Sequence, residues 1–264
     1  MPTIHDIIGA IESIAPLSLQ ESWDNTGLLV GGAKTDRQCT GVMLCVDVTP
    51  QIVKQAAECG CNLIISHHPI IFKGLKHISG MGRVEESIVM AIRSDIDIYC
   101  CHTSIDKAVS RGVSHRMAQM LGLNDIEVLS PDDACPGAGL GAIGNTSTPM
   151  SAQQLVDNVK HAFGLPVARC STPPPEPITR VALCGGSGGE FIPRAVAVGA
   201  QAYINSDTRY HDFSDWGERI FIVDIGHFES EQCTKQIFSE IIREKFPNFA
   251  HCYFADEKNP ISYL

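Results

Sequence analysis

The chain has 264 residues, of which 44% are hydrophobic and 19% charged, and its formal net charge is -10. This length is enough for one large or two small domains with a real core. The acidic balance argues against nonspecific nucleic-acid binding, which depends on neutralising phosphates with Lys and Arg. No apolar stretch is long enough to span a bilayer, and residues 1–10 lack the pattern of a signal peptide. We therefore expect no membrane contact and no nucleic-acid partner.

The eleven cysteines form no CxxC pair, and most lie in apolar runs such as residues 42–46. Cysteine in such a run behaves as a small buried hydrophobe. Free thiols in this number are typical of a reducing compartment, so the expected location is cytoplasmic.

Hydrophobic periodicity and helix-start signals predict alternating helices and strands along the chain. Helices are predicted over 4–14, 51–60, 84–94, 113–121, 151–163, 192–199 and 231–245, and strands over 41–46, 62–66, 96–101, 180–184, 202–205 and 220–225. Residues 131–144 are rich in Gly, Pro and Asp and are predicted to form a loop or irregular junction. The strand–helix–strand order indicates parallel pairing and hence an α/β fold.

Two adjacent histidines, His67 and His68, follow the apolar run 63–65 directly and precede Pro69. Open α/β sheets place their active sites at the carboxyl ends of the strands. Neighbouring side chains on a strand point to opposite faces, so both imidazoles serve one site only if the backbone turns here, and Pro69 supplies that turn. The pair suits two neighbouring metal ions, each binding one histidine.

Further metal-capable side chains recur directly after later apolar runs. They are His102 and Asp106 after one predicted strand, and His227 and Glu231 after another. The ends of parallel strands converge in space, and residues four apart lie on one face of a helix. Imidazoles and carboxylates in this number suit two divalent cations that share a bridging carboxylate.

Each of these signals has a simpler structural interpretation. Asp106 is also a suitable helix N-cap, and Glu231 also favours the first turn of a helix electrostatically. The Gly185–Gly189 loop either offers amides to a phosphate or makes a tight strand-to-helix turn. Trp23 either covers the core or stacks on a substrate base. The residues themselves leave these alternatives open.

At six motifs the chain resembles the GTP cyclohydrolase I type 2 homologues, also called NGG-one-interacting-factor-three-like proteins. The motifs, in family order, are WDNTGL at 23–28, SHHP at 66–69, HTSID at 102–106, CGGSG at 184–188, YHD at 210–212 and DIGHFESE at 224–231. They cover essentially the whole chain. Members usually have Thr-Gly-Glu before the Tyr-His-Asp segment, whereas Asn205, Ser206 and Asp207 stand here, which keeps an acid but changes the turn.

The resemblance implies a dinuclear metal centre with His67, His68, Asp106, His227 and Glu231 as ligands and Asp106 as the bridge. It also implies two α/β domains, with mixed or parallel sheets flanked by helices and the metals in a cleft between them. We place the first domain at 1–126 plus 226–264 and the second at 127–225. A toroidal homohexamer is the expected assembly.

The family name implies hydrolytic opening of the guanine imidazole ring of GTP, with release of formate and formation of dihydroneopterin triphosphate. His102 and His211 are the candidates for proton transfer, and the Gly185–Gly189 loop or Arg209 for holding the triphosphate. Zinc is the preferred metal, with iron, manganese or nickel as alternatives. Two other functions stay open: a two-metal nucleotide or phosphoester hydrolase, and a metal-binding regulatory protein without turnover.

Overall fold

A computed structural model of the chain describes residues 1–32 and 35–263. The chain divides into two compact units, Met1–Ile105 with Thr234–Lys258, and Asp106–Cys233 with Asn259–Leu264. These borders differ from the domain borders predicted after residues 126 and 225. The residues between the two sets of borders belong to the second unit because helix 113–120 and helix 227–231 pack on its sheet.

The first unit is a five-stranded sheet flanked by helices. Its elements are α1 (Ile4–Glu12), β1 (Gly27–Val30), β2 (Val42–Cys45), α2 (Pro50–Glu58), β3 (Leu63–Ser66), α3 (Arg83–Arg93), β4 (Asp97–Cys100), the short α4 (Thr103–Asp106) that ends it, and, from later in the chain, Cys233–Lys245 and Cys252–Phe254.

The strand order in this sheet is β1, β4, β3, β2 and then Cys252–Phe254. The last four pair in parallel and only β1 is antiparallel. Every residue of β2, β3 and β4 is buried, as expected for parallel strands covered on both faces. Helix α2 begins at Pro50, one residue before the predicted start, because the Thr49 hydroxyl accepts from the Ile52 amide and proline suits the first turn.

The second unit is a six-stranded mixed sheet flanked by helices. Its elements are α5 (Val113–Met120), β5 (Asn124–Pro131), β6 (Gly139–Met150), α6 (Ala152–Phe163), β7 (Arg169–Cys170), β8 (Ile178–Ser187), α7 (Ile192–Ala197), β9 (Ala202–Ser206), α8 (Tyr210–Trp216), β10 (Phe221–Asp224) and α9 (His227–Glu231). The later helix and strand that complete the first unit are numbered α10 (Cys233–Lys245) and β11 (Cys252–Phe254).

The order of the second sheet is β5, β6, β8, β9, β10, β7, with β8, β9 and β10 parallel. Strands β5 and β6 make an antiparallel pair at one edge and β7 is antiparallel at the other. The α/β fold class is thus confirmed. None of the helices among the described residues has the length and apolarity needed to cross a membrane.

Two of the predicted elements need correction. The loop predicted over 131–144 was wrong in its second half, because β6 begins at Gly139. Glycines there let the neighbouring strand approach closely: a Cβ at Gly144 would lie 2.9 Å from the Asn124 carbonyl oxygen. The final helix predicted to begin at Glu231 begins at Cys233 as α10, because Glu231 is the last residue of the separate short helix α9.

Candidate metal centre

Three imidazoles converge at the carboxyl ends of two neighbouring strands in the first unit. His67 and His68 follow β3, which ends at Ser66, and His102 follows β4, which ends at Cys100. One ring nitrogen from each of the three lies within 4.8 Å of the others. The ring centroid of His67 is 5.0 Å from that of His68 and 5.2 Å from that of His102. A cation of zinc-like size contacts nitrogen at about 2.0–2.1 Å, so these nitrogens fit around one ion or two neighbouring ions.

The backbone after β3 turns as the sequence requires. The Ser66 hydroxyl donates to the carbonyl of His68 at 2.8 Å, which closes the turn around the two histidines. The His67 side chain is fully buried, whereas His68 is partly exposed. Nδ1 of His68 lies 3.3 Å from the Asp47 carboxylate, which follows β2. Such a carboxylate fixes the tautomer and orientation of a metal-binding imidazole.

Asp24 holds His102 in a fixed orientation. Its carboxylate lies 2.8 Å from His102 Nδ1 and accepts from the Thr103 amide and hydroxyl at 3.0 and 2.5 Å. Burial alone raises the pKa of Asp24, but the hydrogen bonds from His102 and Thr103 outweigh it and hold that pKa well below its ordinary value. The ionised Asp24 therefore keeps a proton on Nδ1 of His102 and directs the Nε2 lone pair away from itself.

The second unit contributes a histidine and a glutamate on one helix face. His227 and Glu231 are the first and last residues of α9, and His227 Nε2 is 3.1 Å from the Glu231 carboxylate. The spacing of four residues gives the contact anticipated for one helical turn. On its other side, His227 Nδ1 lies 2.8 Å from Asp207. Asp207 belongs to the segment that departs from the usual family pattern, so the acid retained there orients the imidazole of His227.

Glycines near the end of β8 allow close packing around Glu231. Gly186 has a φ of +66°, and a Cβ there would collide with Oε1 of Glu231 and lie 3.5 Å from Cε1 of His227. The amides of Gly185 and Gly186 donate to the hydroxyls of Ser114 and Ser230 at 3.2 and 2.9 Å. Both residues belong to β8, so this part of the predicted loop is strand, and its two amides are paired inside the second unit rather than offered to a phosphate.

Three further candidates from the sequence, Asp106, Arg209 and His211, belong to the second unit. Asp106 is the half-buried last residue of α4 and lines a cavity of about 180 Å³ together with Ser114 and His115. His211 is exposed on α8, with its ring edge-on to Tyr210 at a centroid distance of 5.3 Å. Arg209 donates to both carboxylate oxygens of Asp212 at 2.9 and 3.1 Å, so its guanidinium is already engaged.

The buried thiols of the second unit are poor metal donors. None of the cysteines among the described residues forms a disulfide bond. Burial raises the pKa of Cys184 and Cys233, in the second unit, to about 12. Neutral thiols are poor metal ligands, because the thiolate is the form that binds. The donors available are therefore imidazole nitrogens and carboxylate oxygens, a set that suits zinc, iron, manganese or nickel.

Sequence reasoning missed the three acids that orient the histidines. Asp24 lies in the WDNTGL motif and Asp207 in the segment that departs from the family pattern, but the sequence alone gives neither of them, nor Asp47, this role. One signal was present: Asp47 lies two residues beyond the end of β2, as His68 lies two residues beyond the end of the neighbouring β3. The other two acids come from loops, and a loop residue carries no periodicity that predicts where its side chain lies.

The chain is similar to known proteins over nearly its whole length. Residues 2–260 match the model described as Duf34/NIF3 (NGG1p interacting factor 3). A Clostridium perfringens relative named "GTP cyclohydrolase 1 type 2 homolog" is 32% identical over 263 residues, covering 99% of each chain. The crystal structure of a Bacillus cereus protein related to NIF3 has a TM-score of 0.92 at 25% identity, covering 100% of this chain and 99% of that one. A Staphylococcus aureus hypothetical protein has a TM-score of 0.91 at 26% identity over 99% of both chains.

Proposed function

The chain belongs to the Duf34/NIF3 family, and from this premise we propose that it is a metal-dependent hydrolase with a dinuclear centre. The proposed reaction takes GTP and water to formate and dihydroneopterin triphosphate. The name of the Clostridium perfringens relative supports this choice of substrate. The observation that carries the proposal is the convergence of His67, His68 and His102 at two strand ends. A carboxylate lies against the ring of His68 and another against the ring of His102.

We assign the metal ligands as His67, His68, Asp106, His227 and Glu231, with Asp106 as the bridge. The support for a joint centre is the family resemblance, together with the ligand pairs that form inside each unit. Two divalent cations, with zinc preferred, would supply Lewis acidity that makes water reactive near neutral pH. Asp47 and Asp207 would fix His68 and His227 for binding.

His102 is the proposed proton carrier for the reaction. Asp24 holds the proton of Nδ1, so Nε2 is the nitrogen that accepts and returns a proton to the substrate. The exposed His211 is a second proton-transfer candidate. The nitrogens of His102, His67 and His68 also lie close enough for His102 to serve as a ligand, and a variant of His102 separates these two roles.

The proposal extends to a toroidal homohexamer in the cytoplasm, in line with the family resemblance. Light scattering on the purified protein tests the assembly, because a hexamer of a 28.6 kDa chain is readily distinguished from a monomer or dimer. A smaller species at working concentration would contradict this part of the proposal without touching the chemistry.

Proton NMR of GTP incubated with the metal-loaded protein tests the chemistry. We expect the guanine C8 proton signal to disappear while formate appears. Asp106→Ala should lose both bound metal and turnover, because it removes the proposed bridge. His102→Gln should keep the metal and lower turnover by about 10²–10⁴-fold, the usual range for a general acid–base group. Metal loss in His102→Gln would instead make His102 a ligand.

Two results would overturn the proposed reaction. Release of phosphate with an intact guanine ring would identify a nucleotide phosphohydrolase. Metal bound at the assigned residues, with no change in GTP or in a panel of nucleotides and phosphoesters, would identify a binding protein without turnover.

A further inference from the structure

Two large aromatic side chains are exposed together in the first unit. Trp23 is 58% exposed and Phe72 is 48% exposed, and their ring centroids are 6.1 Å apart. Aromatic residues make up only 6% of the chain. Leaving two of them in water forgoes the stabilisation that burial of each ring would give, which is typical of a binding surface.

This aromatic pair lies beside the three imidazoles. The Trp23 ring meets His102 edge-on at a centroid distance of 6.1 Å. The loop that carries Trp23 is tied to the segment that carries Phe72, because the Asn25 side-chain amide donates to the carbonyl of Ile71 at 2.5 Å. Both rings therefore belong to the rim of the group formed by His67, His68 and His102.

The geometry of the pair limits how a ligand would bind. A planar ring inserted between two aromatic rings needs a separation of about 7 Å, twice the distance of closest carbon contact. The Trp23 and Phe72 rings are closer than this and are tilted by 56°. A ligand ring would therefore stack on the open face of Trp23, and Phe72 would hold the indole from its other side.

The positive charge of residues 72–81 indicates that the rest of the ligand is anionic. The chain carries 30 acidic against 20 basic residues, yet residues 72–81 contain Lys73, Lys76 and no acid. Both lysines are exposed. Lysine on a mobile stem is a common binder of phosphate oxygens. The rim thus combines an exposed indole with local positive charge on an otherwise acidic protein.

We propose that Trp23, supported by Phe72, is the stacking surface for the base of a nucleotide whose phosphates face Lys73 and Lys76. This assignment rests on the proposed function, since it names how that site would recognise its substrate class. It makes Trp23 a positioning and specificity residue that holds the heterocycle next to His102.

The chain contains only two tryptophans, which makes the test direct. In a Trp216→Phe background, Trp23 is the sole tryptophan and reports on ligand stacking through its fluorescence. The probes are GTP, guanosine and tripolyphosphate, each titrated with and without bound zinc and excited at the red edge of tryptophan absorption. We expect quenching by GTP and guanosine, none by tripolyphosphate alone, and weaker binding of GTP but not of guanosine at high salt.

Calorimetry on variants provides the second measurement. Trp23→Leu should weaken guanosine binding by about tenfold, the usual loss when one aromatic stacking contact is removed. Trp23→Phe should recover most of the affinity, which a merely structural role would not explain. Phe72→Leu serves as the milder companion to Phe72→Ala. Zinc content should match the parent in all four variants, because none of these side chains is a proposed ligand.

The assignment is overturned if guanosine leaves Trp23 fluorescence unchanged, or if Trp23→Leu binds guanosine as tightly as the parent. A change of oligomer size in Trp23→Leu with unaltered guanosine binding would also overturn it, and would make the pair a contact between copies. These results are distinct from failure of the proposed function. That failure shows as absent metal or absent turnover while Trp23 still reports base binding.

Discussion

At the scale of single residues, the site depends on acids that orient histidines. Asp24, Asp47 and Asp207 each lie within 3.3 Å of an Nδ1 atom, on His102, His68 and His227 respectively. A carboxylate in this position keeps the proton on Nδ1 and leaves Nε2 as the nitrogen for metal or substrate. The same arrangement repeated at three histidines is the strongest sign that these rings act through Nε2.

Gly186 gives a prediction at this scale. Gly186 and Gly164 both have a φ of +66°, but a Cβ meets Glu231 at Gly186 and open space at Gly164. Replacing either with Ala should cost about 1–2 kcal/mol of the free energy of unfolding, because an L-residue is strained in this region. Only Gly186→Ala should also weaken metal binding, since the new methyl group displaces the buried Glu231 carboxylate.

Urea unfolding of the metal-free proteins and zinc titration of the folded ones check this pair. Gly164→Ala is the matched control for backbone strain. Equal zinc affinity in Gly186→Ala and the parent would show that Glu231 does not need its present position to bind metal.

At the scale of elements, the segment between β3 and α3 has little regular structure and depends on α3 for its anchoring. Glu85 in the first turn of α3 accepts from the Ser79 amide at 2.8 Å and from the Ser79 hydroxyl at 2.5 Å. Nδ1 of His77 is 3.1 Å from the same carboxylate. The hydrogen bonds from Ser79 lower the pKa of Glu85 from 4.5 to about 2. One carboxylate therefore fixes the segment that carries Phe72 and the two lysines.

Because the pKa of Glu85 is lowered in the folded protein, its stabilising contribution is present above pH 4.5 and is lost as the pH falls towards about 2. Glu85→Gln should therefore increase hydrogen exchange in residues 72–82 relative to the parent at neutral pH. That difference should shrink through the same acidic window. Exchange measured by mass spectrometry at matched intrinsic rates tests this, with Glu86→Gln on the same helix turn as the control. An undiminished difference at the acid end would show that Glu85 is not the anchor.

At the scale of the whole molecule, the end of the chain completes the first unit. Strand β11 pairs in parallel with β2, and Glu257 just beyond it accepts from the amides of Val46 and Asp47 at 2.9 and 3.0 Å. Lys235 of α10 lies 3.0 Å from the same carboxylate, and both side chains are buried. The segment thus fixes the backbone of Asp47, whose carboxylate contacts His68.

Glu257→Gln should lower the free energy of unfolding by about 3–5 kcal/mol, because it leaves the buried Lys235 charge uncompensated. Glu58→Gln removes the exposed ion pair with Lys54 and should cost no more than about 0.5 kcal/mol. Urea unfolding of both variants measures the contrast. Similar small losses in both would mean that Lys235 finds another partner.

Whether a strand could be predicted from the sequence depends on its burial and on its place in the sheet. The parallel strands β2, β3 and β4 were predictable because burial on both faces leaves continuous apolar runs, and their carboxyl ends led to His67, His68 and His102. Strands β1, β5, β6, β7 and β11 were not predicted. All of them except β6 lie at the edges of their sheets, and the residues of β5 are largely exposed. Such strands are defined by their partners rather than by their own composition.

The division of the chain also has a consequence for its synthesis. Residues 106–233 leave the ribosome as one continuous stretch, whereas the first sheet waits for β11, some two hundred residues after β2. The second unit is therefore synthesised almost completely before the first unit is complete. During that interval one edge of β2 has no partner strand. A nascent chain stalled before residue 252 would expose this edge to other strands and to chaperones.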